Sequence, residues 1–231
     1  MRIQSMLEPL VAAAVVSMLS AFGGYVSYAT AAEGRWQKTA SGCLVWDALP
    51  QPDETVAWSG GCEEGKASGH GTEFYRYRGD GVWKEERYVG EMRDGKLDGS
   101  GTLTYDNGDR YQGRFVDGRR SGRGTYTHAN GDRYEGEFKE DMRTGSGIFV
   151  YHTGGRYEGE FLNGEYQGHG TFYFANGDRY EGDFAGGLPD GFGSFTAHTG
   201  ESVRGHWSNG CLRQGNRVAA AGVPKEKCKF E

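Results

Sequence analysis

The chain has 231 residues, of which 41 are glycine and only 5 are proline, and its net charge is −6. So much glycine would suit collagen or a disordered linker, but collagen needs abundant proline, and a linker would lack the 14 tyrosines, 12 phenylalanines and 5 tryptophans. The acidic balance argues against nucleic acid as a partner, because nucleic acid binds clustered basic surfaces. Glycine and aromatic residues in these numbers instead favour repeated turns and strands.

Residues 1–31 are predicted to be a signal peptide. An apolar stretch, 10–26, follows a short segment that carries Arg2, and Ala29-Thr30-Ala31 has the small-x-small pattern of a cleavage site. A cleaved chain would begin near Ala32 and would be periplasmic or secreted. The alternative is an uncleaved anchor in the inner membrane, although residues 10–26 are short for the ~20 apolar residues of a spanning helix.

The four cysteines lie at the two ends of a regular central region: Cys43, Cys62, Cys211 and Cys228. Export to an oxidising compartment would favour disulfides over metal binding or catalysis. Of the three possible connectivities, we favour the two local pairs, and each loop of about 20 residues could contribute roughly 3 kcal/mol. The chain has no CxxC or HExxH motif, so we expect neither a metal site nor a cofactor.

The central region repeats with a period of 23 residues. Five full copies begin at Tyr88, Tyr111, Tyr134, Tyr157 and Tyr180. A partial copy begins at Trp58, followed by an insertion of seven residues, and a truncated copy begins at Val203. About seven units of this length predict an array of stacked supersecondary units rather than a globular domain with one centre.

Each unit is predicted to be a two-stranded hairpin. In YEGEF, 134–138, the tyrosine, glycine and phenylalanine share one face and the two glutamates share the other. In GRGTYTH, 122–128, the glycines, Tyr126 and His128 likewise share a face. The pair Asn130-Gly131, which recurs between units, favours a two-residue hairpin turn with positive φ. The sequence therefore predicts an all-β, elongated, single-layer antiparallel β-meander with disulfide-stapled terminal caps.

The units resemble the MORN repeat (membrane occupation and recognition nexus), whose pattern is similar to YEGEF, a glycine and then GxGxxxxxNGxxY. The resemblance covers residues 58–210, so the chain would divide into the signal peptide, an N-terminal cap at 32–57, the array, and a C-terminal cap or tail at 211–231. It implies a single-layer antiparallel sheet that binds proteins or membranes and sometimes dimerises. Departures from the pattern predict one weakened turn and terminal capping: Asp141 for glycine, Gly155 for Asp, and Val203 with Trp207 for Tyr and Phe.

Two sets of residues are candidate binding sites. Rows of tyrosine and phenylalanine would form a partly open groove for a partner: Tyr111, Phe115, Tyr134, Phe138, Tyr157, Phe161, Tyr180 and Phe184. The alternative is that these rings pack on one another and on the glycines. A small basic cluster is a candidate lipid or phosphate contact, or otherwise a solvated loop: Arg114, Arg119, Arg120 and Arg123.

No catalytic motif stands out in the sequence. It lacks GxGxxG, P-loop and GxSxG motifs, and the caps are too short for a catalytic domain. We therefore expect a non-enzymatic, exported binding or scaffold protein with a protein partner, and a homodimer is compatible with the resemblance. The alternative is a membrane-associated module. The acidic residues between the arginines of the charged face disfavour it, because anionic lipids attract clusters of Lys and Arg.

Overall fold

The computed structural model describes residues 34–51, 53–215 and 217–229. The predicted signal peptide, 1–31, and the alternative anchor, 10–26, lie outside these residues. Within the described ranges, no helix is long and apolar enough to cross a membrane.

The described chain is all-β and has one short 3-10 turn, Lys225–Lys227. Its strands are β1 (Arg35–Lys38), β2 (Leu44–Asp47), β3 (Thr55–Trp58), β4 (Gly61–Glu63), β5 (Lys66–Gly79), β6 (Val82–Arg93), β7 (Lys96–Thr104), β8 (Arg110–Val116), β9 (Arg119–Thr127), β10 (Arg133–Lys139), β11 (Met142–Val150), β12 (Arg156–Leu162), β13 (Glu165–Tyr173), β14 (Arg179–Ala185), β15 (Leu188–Thr196), β16 (Ser202–Trp207), β17 (Cys211–Gln214) and β18 (Arg217–Ala220).

Strands β1 to β16 form one long sheet, and from β5 to β16 each strand pairs with its sequence neighbour. Strands β3 and β4 both pair with β5, while β2 joins β5 through one parallel residue pair, Leu44 with Lys66. Strands β17 and β18 form a separate two-stranded sheet. The predicted all-β meander is confirmed, and the parallel contact at the N-terminal cap is its one departure from antiparallel pairing among the described strands.

The face of the sheet that carries the repeat tyrosines is called the inner face. Tyr134 lies opposite Phe149, and Gly136 lies opposite Gly147, in the hairpin of β10 and β11. A Cβ atom on either glycine would lie 2.6 Å from a carbon of the Tyr134 ring. Glycine is therefore required here because the tyrosine ring covers both strands of its own hairpin.

Each repeat tyrosine also fixes the backbone beside a change of register. Between Gly136 and Glu137 the pairing of β10 with β11 shifts, so that Glu137 lies opposite Thr144. The Tyr134 hydroxyl donates to the Glu137 carbonyl at 3.0 Å. The other full copies repeat this bond to the residue three positions later, at 2.8 to 3.1 Å, from Tyr88, Tyr111, Tyr157 and Tyr180.

The tight turns lie within the units, not between them as predicted. Asp117 and Gly118, which join β8 to β9, have φ of 50° and 84°, as a two-residue hairpin turn requires. Between units, Gly131 has a positive φ of 94° and Asn130 does not. Asn130 instead accepts the Asp132 N–H on Oδ1 at 2.9 Å, within a longer loop closed by the His128 N–H bond to Asp132. The predicted two-residue Asn-Gly turn is therefore wrong.

Aspartates in these longer loops connect consecutive units. Asp132 Oδ1 accepts the His152 N–H at 2.8 Å, and Asp178 Oδ1 accepts the His198 N–H at 2.9 Å. Burial acts to raise the pKa of Asp132, but the hydrogen bonds from His152 outweigh it and lower the pKa. The backbone bond from His198 likewise lowers the pKa of Asp178. Gly155 has no carboxylate to offer at the equivalent position.

The ends of the array replace the repeat tyrosine with other groups. Trp58 covers Gly71, and its indole N–H donates to the Gly61 carbonyl at 2.8 Å, three residues later. At the other end Val203 is too small to cover Gly205, and Leu212 takes that place, 2.8 Å from where a Gly205 Cβ would lie. Both ends of the sheet thus keep their glycine rows covered.

The two disulfides join the local pairs that were predicted. Cys43 pairs with Cys62, with Cα atoms 5.7 Å apart, and links the loop before β2 to β4. Cys211 pairs with Cys228, with Cα atoms 5.5 Å apart, and links β17 to the residue after the 3-10 turn. The first disulfide therefore fastens the N-terminal cap to the array, and the second closes the C-terminal cap on itself.

Candidate binding surface

The predicted aromatic groove does not open to solvent. Its members are at most 4% exposed and form the core of the sheet: Tyr111, Phe115, Tyr134, Phe138, Tyr157, Phe161, Tyr180 and Phe184. Tyr134 packs edge-to-face on Phe138 of its own unit at 5.1 Å and on Phe161 of the next unit at 4.9 Å. These contacts connect one unit to the next, so the rings are committed to folding and offer a partner almost no surface.

The predicted basic cluster contains one arginine that points inward. Arg120 donates to Asp141 Oδ1 at 3.0 Å and to the Asp141 carbonyl at 2.9 Å. Its guanidinium also lies 5.2 Å from the Tyr126 ring centre and 5.6 Å from that of Phe138. Arg120 is thus a packing residue, and Asp141, at the substituted turn position, is its partner.

The other three arginines of that cluster are exposed but have different neighbours. Arg119 pairs with Glu140 at 3.3 Å at the tips of adjacent hairpins. Arg123 lies opposite Glu137, and Arg114 lies opposite Ser100. Arg120 therefore belongs to the packing and Arg119 to an ion pair, which leaves Arg114 and Arg123 of the predicted cluster on the outer face.

The face opposite the tyrosines is called the outer face, and it carries rows of charged side chains. On successive first strands, arginines pair with glutamates two residues later: Arg133 with Glu135 at 2.6 Å, Arg156 with Glu158, and Arg179 with Glu181 at 3.0 Å. Exposed pairs of this kind contribute about 0 to 1 kcal/mol to stability. Their main effect is to set the charge pattern that a partner would meet.

A shallow cavity of about 650 Å³ lies on this face along the glycine rows of β9 to β13. Besides glycine backbone, it is lined by Arg123, Thr125, Glu135, Ser146, Ile148, Glu160 and His169. Carboxylates, an arginine, hydroxyls and an imidazole around one apolar side chain can make both polar and apolar contacts. This arrangement is suited to a polar segment of another molecule.

The outer face varies from unit to unit. Most inner positions repeat the tyrosine, the glycines and the aromatic residue that the packing requires. The inner position beside the hairpin turn varies: Leu97, Arg120, Arg143, Tyr166 and Pro189. The outer positions of the second strand change from unit to unit: Ser100, Arg123, Ser146, His169 and Phe192 at one position, and Thr102, Thr125, Ile148, Thr171 and Ser194 at the next. The packing of the sheet does not dictate these outer residues, so they can determine which partner binds.

The seven-residue insertion after the first unit lengthens a hairpin. Strands β5 and β6 remain paired from Tyr75 and Glu86 out to Gly79 and Val82. Outer-face residues here are called the arginine-aromatic patch: Phe74, Arg76, Arg78, Trp83 and Arg87. The sequence locates the insertion, and the alternating FYRYR at 74–78 is the signal that could have revealed the patch.

A buried glutamate near this hairpin was also not predicted from the sequence. Glu73 occupies the inner-face position that Tyr126 and Phe149 fill in other units, and it is 8% exposed. Burial, followed by the nearby charges of Asp47 and Glu86, raises the pKa of Glu73 to about 8. Aligning the repeats would have exposed this substitution. In the part of the chain that the structure describes, no three His, Cys, Asp or Glu residues are placed to hold a metal ion.

Comparison with known families agrees with this geometry. The MORN repeat family model matches five consecutive segments of 23 residues: 88–110, 111–133, 134–156, 157–179 and 180–202. No curated protein matches the chain. The matched segments are the five full hairpin units, and such repeats indicate a binding or scaffold module. With its tyrosine-over-glycine hairpins and these five matches, the chain belongs to the MORN-repeat family.

Proposed function

We propose that this chain is an exported, non-enzymatic scaffold that binds a protein partner on the outer face of its repeat array. One observation carries the proposal: the tyrosines and phenylalanines of the predicted groove on the inner face are at most 4% exposed, whereas the outer face is exposed and differs between units. Residues that folding does not dictate are free to be selected for a partner. The cavity along β9 to β13 lies among them.

Export is supported by two features. The disulfides Cys43–Cys62 and Cys211–Cys228 are compatible with an extracellular or periplasmic location. The apolar stretch at 10–26 and the small residues before Ala32 form a signal-peptide pattern. Intact-mass measurement of the protein from an envelope fraction tests this, since cleavage predicts a chain that begins near Ala32. A chain that retains Met1 would contradict it.

Capture of partners from envelope extract tests the binding proposal. Ser146 is exposed and lines the outer-face cavity, so Ser146→Tyr would fill part of it. We expect at least a fivefold loss of the captured partner with little change in melting temperature. Thr153→Tyr, at an exposed inter-unit loop, is the matched control and should capture normally. Equal capture by both variants, or no specific capture by the unaltered protein, would contradict the proposal.

A further inference from the structure

The arginine-aromatic patch on the lengthened hairpin differs from the rest of the outer face. Trp83 and Phe74 are 48% and 39% exposed. The Arg76 guanidinium lies 4.6 Å from the Trp83 ring centre, and that of Arg87 lies 5.5 Å from the Phe74 ring centre. Two large rings and the flat faces of two guanidinium groups thus form one exposed surface.

The arginines of the patch form no salt bridge, although the exposed Glu85 lies opposite Arg76 on the same face. Farther along the outer face Arg133, Arg156 and Arg179 each form a salt bridge with a glutamate two residues later. The residue two positions after Arg87 is Val89, and among the described residues Arg76, Arg78 and Arg87 form no salt bridge. The patch therefore keeps a net positive charge, with three arginines against Glu85, in a chain whose net charge is −6.

The stacked guanidinium groups are also oriented to bind carboxylates. A guanidinium that stacks on a ring keeps its N–H donors at its edge, where they can bind a carboxylate in a bidentate manner. Stacking restricts the side chain before binding, so less conformational entropy is lost when a partner docks. Tryptophan and arginine are also the residues most enriched at energetic centres of protein interfaces.

The hairpin is held on both sides at the base of the patch. On one edge, Thr55 of β3 pairs with Arg76. On the inner side, Lys84 forms a 3.0 Å salt bridge with Asp106 of the next inter-unit loop. The contacts fix the hairpin without covering its outer face.

We propose that the arginine-aromatic patch binds an acidic segment of the protein partner, whose carboxylates pair with Arg76, Arg78 and Arg87 while an apolar side chain lies against Trp83. This inference rests on the proposed scaffold function and names the chemistry of the partner. An acidic protein segment fits better than an anionic membrane, because a narrow segment can contact the patch alone, whereas a flat membrane surface would also meet the glutamates of β10, β12 and β14. The glutamates of β10, β12 and β14 would repel such a segment and so direct it to this end.

Fluorescence anisotropy with a defined probe tests the inference. The labelled peptide (Glu-Glu-Leu)3 should bind the disulfide-bonded protein lacking residues 1–31, and the binding should weaken as salt rises. The neutral peptide (Gln-Gln-Leu)3 should bind at least tenfold more weakly. Failure of the acidic peptide to bind, or equal binding of both peptides, would overturn the inference.

A matched pair of variants locates the site. Arg204 also stacks on an exposed ring, 4.8 Å from the centre of Phe192, but it lies at the other end of the outer face beside Glu181 and Asp183. We expect Arg76→Gln to weaken binding of the acidic peptide at least fivefold and Arg204→Gln to weaken it less than twofold. Equal losses would mean general electrostatic attraction and would overturn the assignment.

Two further measurements separate this partner from the other occupants of a basic surface. Flotation with phosphatidylcholine vesicles containing phosphatidylglycerol tests lipid, and sedimentation equilibrium tests a second copy of the chain. Vesicle binding or dimerisation that Arg76→Gln abolishes, without peptide binding, would overturn the inference. The proposed function fails separately: if Ser146→Tyr prevents partner capture and Arg76→Gln does not, the scaffold stands and the acidic-segment inference falls.

Discussion

Replacing Glu73 by glutamine should stabilise the N-terminal end of the array at neutral and alkaline pH. In the unfolded chain Glu73 ionises near its ordinary pKa of 4.5, whereas burial raises the folded pKa to about 8. Between these values the folded state binds more protons, so the free energy of unfolding falls as pH rises. The pKa difference corresponds to a loss of about 3 kcal/mol at pH 7, rising towards roughly 5 kcal/mol above pH 8.

Urea unfolding from pH 5 to 9, followed by tryptophan fluorescence, measures this effect where it occurs. Four of the chain's tryptophans lie in its first 83 residues and report on this end: Trp36, Trp46, Trp58 and Trp83. Glu73→Gln should gain stability relative to the unaltered protein as pH rises, with little difference at pH 5. Glu85→Gln, on the exposed face of the adjacent strand, is the control and should follow the unaltered protein. If Glu73→Gln also follows it at every pH, the account of a buried, protonated carboxyl is refuted.

Three other variants, one single and two double, test contacts within and between the units and the restraint on the N-terminal cap. Tyr134→Phe removes the hydrogen bond from the tyrosine hydroxyl to the Glu137 carbonyl, and it should lower the free energy of unfolding in urea by about 1 to 2 kcal/mol. Tyr173→Phe, at an exposed ring, is the control and should leave the stability unchanged. Equal effects of the two substitutions would contradict the role of that bond. The double variant Asp132→Asn with Asp178→Asn should lose less stability below pH 4 in thermal melts than the unaltered protein. The folded state lowers the pKa of both carboxylates, so their stabilising contribution is lost as the pH falls through the folded pKa values. Parallel dependence of the melting temperature on pH in the two proteins would count against the loop contacts. Cys43→Ser with Cys62→Ser should cost roughly 3 kcal/mol, and unchanged stability would show that this disulfide does not restrain the cap.

Most of the fold could be read from the sequence because the repeat imposes the same inner face on every unit. Tyr134, Gly136 and Phe138 alternate as a strand requires, and the 23-residue period returns the same set each time. The pattern therefore predicts paired strands and their sequential order. It does not predict the register shift after Gly136, which depends on the backbone of both strands and on a tyrosine hydroxyl.

The errors have a common physical origin in contacts between units. Asn-Gly is the strongest local signal for a two-residue turn, but the inter-unit loop is longer, and its Asp132 accepts the His152 N–H of the next unit. Arg120 looks like a surface charge until the fold brings Asp141 beside it. The aromatic rows looked partly open because ring contacts between successive units cannot be seen in one repeat alone.

Photo-crosslinking in intact cells tests most directly whether the outer face is the binding surface. A photoreactive phenylalanine derivative would replace Ser146 or His169 on the outer face, and Tyr151 or Phe174 in the partly buried aromatic row of the inner face. The account predicts a discrete crosslinked protein partner from the two outer positions and none from the two inner positions. Crosslinks from Tyr151 and Phe174 without any from Ser146 and His169 would contradict it.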